Sequence, residues 1–147
     1  MARVILFPQS ATSRFFYNLD NAVGLGSANV RDDVLLVQYF LKTIFDNPSA
    51  SSKPLSPLPL KPGEVFRVDG IAGPITVRAI KHYQETQRAG GRAIVSDGRV
   101  DKAKAGSGVT TILFLNTDYK TVRPNDFNSI AFAADCPQDL KKSFSLF

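Results

Sequence analysis

His82 is the only histidine of this 147-residue chain and Cys136 its only cysteine. One imidazole and one thiol cannot supply the three protein ligands of a catalytic zinc site. A Ser/His/Asp set, or a Cys136–His82 pair, lacks the strand–turn–helix setting that exposes a nucleophile. The 13 Asp and Glu residues would allow a glycosidase-type carboxylate pair, yet no two of them stand out. The expectation is no catalytic residue, no metal and no cofactor. Binding chemistry is better supplied. Arg67, Arg78, Lys81 and Tyr83 lie beside an Asp69-Gly70 pair. A guanidinium can grip a carboxylate through two parallel hydrogen bonds, and an aromatic face can stack on a sugar ring. Tyr83 also falls on an apolar stripe, so the core is an equal claim on it.

These side chains need a turn and a helix to hold them. Gly70 can take the positive φ of a tight turn, and Asp69 can accept hydrogen bonds from amides two residues on. Gly73-Pro74 then opens a helix, since proline at the first helical position loses no intrahelical bond. Thr76, Ala79, Ile80, Tyr83, Gln84 and Gln87 share one face of that helix, and Gly90-Gly91 ends it. Upstream, Val34, Val37, Gln38, Leu41, Ile44 and Phe45 recur at helical spacing. Asn29 is the expected N-cap there, with Asp32 and Asp33 facing the helix dipole, and Asp46-Asn47-Pro48 is the stop. Ser96-Asp97-Gly98-Arg99 echoes the first turn and leads, after a glycine-rich stretch at 104–108, to a third helix around 109–116.

In order, Val34-Leu35-Leu36-Val37-Gln38 with Leu41, and then Asp69-Gly70 through Tyr83-Gln84, resemble the signature of the small peptidoglycan-binding domain family, V-x-x-L-Q-x-x-L followed by D-G-x-x-G-P-x-T-x-x-A-x-x-x-[FY]-Q. The match runs over residues 29–116, about three-fifths of the chain. It implies a mainly α fold: a three-helix bundle with tight Asp-Gly turns that holds cell-wall muropeptide without catalysing anything. By this resemblance Gln38 and Gln84 are motif glutamines that tie helix to turn, with direct sugar contact as the alternative. Asp69, Gly70, Gly73, Pro74 and Thr76 shape the turn and start the helix. Arg67, Asp69, Arg78, Lys81 and Tyr83 are the ligand-binding candidates, with a peptide-stem carboxylate as the partner of a guanidinium. The loop between the first two helices is longer than the family's.

The net charge of +5 favours an anionic partner. Its cations are dispersed rather than run together, so no nucleic acid is expected, and no apolar stretch approaches a membrane span. Residues 3–7 read as a strand-like arm, too short for an export signal. The expectation is a soluble protein made in the cytoplasm that reaches the envelope by lysis, a phage particle or a dedicated secretion route. Residues 1–28 read as an N-terminal arm, 29–116 as the domain, 47–63 as a Pro/Ser-rich loop within it, and 117–147 as an extension packing on it. That extension carries a short helix, Gln138 to Phe144. A second function class stays open: an adaptor that docks a protein partner through the proline loop, where Pro54-Leu55-Ser56-Pro57 fits PxxP, or through the aromatic tail ending at Phe147. A small wall hydrolase is the weaker third.

Overall fold

Asp33 to Leu41 are buried without interruption, so the first helix is surrounded rather than amphipathic. This helix, α1 (Arg31–Asp46), is the centre of a computed structural model that describes residues 2–7, 14–48, 55–104 and 110–144. Around it lie α2 (Pro74–Ala89), α3 (Thr111–Val122) and α4 (Gln138–Phe144). A 3-10 helix, Phe127–Phe132, precedes α4. The fold is mainly helical. Among the described residues no helix is long and apolar enough to cross a membrane.

Two small antiparallel pairs complete it. β1 (Arg3–Phe7) pairs with β2 (Arg14–Asn18), Arg3 opposite Asn18 and Phe7 opposite Arg14. β3 (Val23–Gly24) pairs with β4 (Arg99–Val100). The strand-like arm at 3–7 is therefore present, but β2 has no sequence signature. Phe16, Tyr17, Asn18 and Leu19 are all buried, so the strand shows no alternation. Asparagine side chains stand in for neighbouring strands. Asn116 accepts from the Tyr17 amide at 2.7 Å and donates to its carbonyl at 2.8 Å. Asn18 does the same for Ala103, at 2.9 Å each way.

One expectation at the start of α1 needs correction, while Asp32 and Asp33 stand in its first turn as expected. Its N-cap is Val30, with no side-chain cap. Asn29 instead sits at φ +52° and closes the preceding loop, accepting from the Gly24 amide at 2.7 Å and donating to its carbonyl at 3.1 Å. Asp33 is buried and accepts from the amides of Asp20 and Asn21, both at 3.0 Å, so it anchors the incoming chain. The stop at Asn47 is as expected, its side chain donating to the Thr43 carbonyl at 2.8 Å. The start of α2 at Pro74 and the bounds of α4 also agree with the sequence reading. The third helix starts at Thr111 and continues to Val122, across the expected boundary at 116.

One core takes in the ends of the chain. Tyr17, Leu19 and Val23 are buried with Leu36, Phe40, Ile112 and Leu115, and so are Phe127, Ile130 and Leu140. The Tyr17 hydroxyl donates to the Phe127 carbonyl at 2.6 Å. The Tyr39 hydroxyl lies 3.1 Å from that of Tyr119 and donates to Asp135 at 2.8 Å. Arg123 reaches the same carboxylate at 2.7 Å. The Arg123 bond, helped by that of Tyr39, holds the Asp135 carboxyl below its ordinary 3.8. A carboxyl depressed in the folded state contributes stability above its unfolded value and loses it as pH falls through the folded one. Wild type should therefore lose more stability than Asp135→Asn when urea unfolding is compared at about pH 5 and about pH 2.5. The half-exposed site limits the difference to about 1 kcal/mol.

The Pro/Ser-rich residues 49–54, with Pro54 of the PxxP match, the glycine-rich residues 105–108 and the last tail residues 145–147 lie outside the described residues. The chain after Pro54 contacts α2. Leu55 is buried, the Ser56 carbonyl meets His82 Nε2 at 3.0 Å, and the Pro59 carbonyl accepts from Arg78 at 3.1 Å. The loop is a strap across α2.

Candidate functional site

Gln38 points from the middle of α1 at the Asp69-Gly70 turn. Its Oε1 accepts from the amides of Asp69 (3.1 Å) and Gly70 (2.8 Å). Its Nε2 donates to Asp69 Oδ1 (3.1 Å), the Ile71 carbonyl (3.0 Å) and Thr76 Oγ1 (3.0 Å). Asp69 Oδ1 also takes the Ile71 amide at 3.0 Å. Gly70 has φ +78°, as the tight turn requires. One buried amide thus fixes a turn and the first residues of α2 against α1.

The same lock occurs a second time. Gln84 Oε1 accepts from Asp97 (3.2 Å) and Gly98 (2.9 Å). Its Nε2 donates to Asp97 Oδ1 (3.2 Å), the Arg99 carbonyl (2.8 Å) and Thr111 Oγ1 (3.1 Å). Asp97 Oδ1 takes the Arg99 amide, and Gly98 has φ +72°. α2 belongs to both locks, giving Thr76 to the first and Gln84 to the second. Both glutamines are fully buried, so they make the expected tie and their functional groups are spent within the fold.

An open groove of about 370 Å³ runs beside the first turn. Its walls include Val65, Arg67, Asp69 and Ile71, with Pro74 and Ile75 from the first turn of α2. A smaller cleft, about 240 Å³, lies beside the second turn. There Val95 takes the place of Arg67, two residues before the aspartate, and Arg99 is paired with Asp101 at 2.6 Å. Arg67 is exposed and has no hydrogen bond or ion pair among the described residues. The two clefts share a scaffold and differ in charge.

The ligand candidates separate accordingly. Arg67 and Asp69 line the groove, though Asp69 Oδ1 is taken by the turn. Arg78 does not line it. Its guanidinium is bound to Glu64 at 2.7 Å, a bond that holds the Glu64 carboxyl below its ordinary value. Lys81 is exposed on α2, outside the groove. Tyr83 is fully buried and donates to Asp118 at 2.5 Å. Burial first, and then Asp118, push its phenol well above the ordinary value. Arg92 holds the same carboxylate with two bonds of 2.8 Å. Tyr83 is core, and the expectation of sugar stacking on it is corrected.

Two neighbours of the groove carried no signal in the sequence. Glu64, on its rim, neutralises Arg78. Arg31 lays its side chain across Gly70, donates to the Asp69 carbonyl at 2.6 Å and meets Asp139 of α4 at 3.1 Å. Such links between remote segments leave no local pattern. Cys136 is buried, and burial pushes its thiol up to about 11. Among the described residues no group of three or more His, Cys, Asp or Glu is placed to hold a metal ion. Comparison with protein-family models, with curated proteins and with solved structures finds no match to this chain.

Proposed function

We propose that this chain is a non-catalytic wall-binding module, a three-helix bundle of the peptidoglycan-binding type closed by Asp-Gly turns, which holds muropeptide in the groove beside Asp69-Gly70. One observation carries the reading. The groove lies at the motif turn and presents Arg67, a guanidinium with no acidic partner among the described residues. The peptide stems of peptidoglycan carry carboxylates that such a group pairs with. The basic net charge of +5 favours the same polymer. The wall is reached by lysis, a phage particle or a secretion route.

Retention on insoluble peptidoglycan sacculi tests this. Wild type should be retained at low salt, and Arg67→Ala should lose roughly tenfold in affinity, the worth of one charge-assisted contact. Lys81→Ala, outside the groove, should lose little beyond screened charge. Absence of retention at low salt, where a basic protein adheres best, would refute the proposal. The adaptor alternative rests on Phe132, which is 87% exposed on the 3-10 helix. A partner captured by wild type and lost on Phe132→Ala, with no binding to sacculi, would favour it.

A further inference from the structure

We infer that the groove takes the peptide of the muropeptide rather than its glycan, laid extended along Val65–Val68 and bonded main chain to main chain. This rests on the wall-binding reading. Burial alternates through the segment. Val65 is exposed, Phe66 buried, Arg67 exposed, Val68 half-buried, Asp69 exposed and Gly70 buried. That is the period of a strand with one open face, yet no strand among the described residues lies beside it. Among the described residues the backbone N–H and C=O groups of Val65, Phe66, Arg67 and Val68 make no hydrogen bond. Unpaired extended backbone is where a peptide can add.

At the second lock it is the backbone after the Asp-Gly pair that takes a strand. There β3 pairs with Arg99–Val100, and the Leu25 amide donates to the Gly98 carbonyl at 3.0 Å. The corresponding stretch of the first lock, Gly70–Ala72, has no strand across it among the described residues. The remaining lining selects the occupant. Val65, Ile71, Pro74 and Ile75 suit small aliphatic side chains, and among the described residues no aromatic ring lines the groove for a sugar to stack on. Arg67 then receives the terminal carboxylate.

The full chain, labelled with ¹⁵N, should be titrated with three probes: a stem peptide ending in a free carboxylate, the same peptide amidated, and glycan strands stripped of peptide. The free-acid peptide should shift the Val65–Val68 amides and slow their hydrogen exchange. Amidation should weaken binding roughly tenfold, and Arg67→Ala should erase that difference. Glycan strands that bind while the peptide stays silent would overturn the inference and leave wall binding standing. A peptide that shifts other residues alone would also overturn it. If neither the probes nor whole sacculi bind, both readings fall.

Discussion

Replacing Gln84 by leucine should cost about 2–5 kcal/mol, and Gln38→Leu should fall at the lower end of that range, although neither change alters much volume. Each leucine orphans a buried glycine amide, Gly70 or Gly98, and Gln84→Leu also orphans the Thr111 hydroxyl, whereas Thr76 keeps its bond to the Ile71 carbonyl at 3.3 Å. A buried polar group left unpaired costs about 1–3 kcal/mol. The exposed backbone groups of Asp69, Asp97 and Arg99 can turn to water, which keeps the total from rising further. Urea unfolding reads the effect as a lower midpoint with unchanged slope. Gln→Glu tells a lock from a filled space. It keeps the acceptor but sets a second carboxylate against Asp69 or Asp97. It should be worse than leucine at neutral pH and recover on acidification, as the new carboxyl gains a proton to donate. If both leucine variants stayed within about 0.5 kcal/mol of wild type, the locks would contribute nothing to stability.

Gly24→Ala should be of similar severity, about 3 kcal/mol or more. Gly24 has φ +115°, and an added Cβ would be driven into the Gly98 carbonyl oxygen. That atom is backbone in the second lock, so relief would displace the turn that Gln84 holds. The positive φ alone accounts for about 1–2 kcal/mol. Gly26→Ala separates the two causes. Its φ is +64°, but a Cβ there meets nothing within 4 Å, so only the conformational cost applies. Thermal melting should fall by about 6–12 °C for Gly24→Ala and by roughly one to two thirds of that for Gly26→Ala. Equal losses at the two sites would mean that the contact with Gly98 is unimportant.

What the sequence made legible was local. The spacing of Val34 to Phe45 marked α1, Gly73-Pro74 the start of α2, and the second Asp-Gly pair was visible as an echo. Each is written within a few residues of where it acts. The equivalence of the locks was not visible, because Gln38 lies 31 residues from Asp69 and Gln84 only 13 from Asp97. β2 was missed for a related reason. Its partners include Asn116, 99 residues from Tyr17, and a strand buried on both faces shows no period of two. At the candidate site, side-chain type identified cations but not their neutralisers. Arg67 and Arg78 read alike until Glu64 was found on one of them. Tyr83 lay on the apolar stripe, and burial won over the polar handle because Asp118 satisfies its hydroxyl inside.

Since each lock grips its glutamine, its Asp-Gly pair with the residue that follows, and its threonine, the chain between those points is free to lengthen. The proline strap fills the larger gap and leaves the grip of Gln38 the same as that of Gln84. Length is stored where no lock measures it. Insertions should therefore be tolerated between a glutamine and its turn, and a single residue added within Asp69–Ile71 should not be.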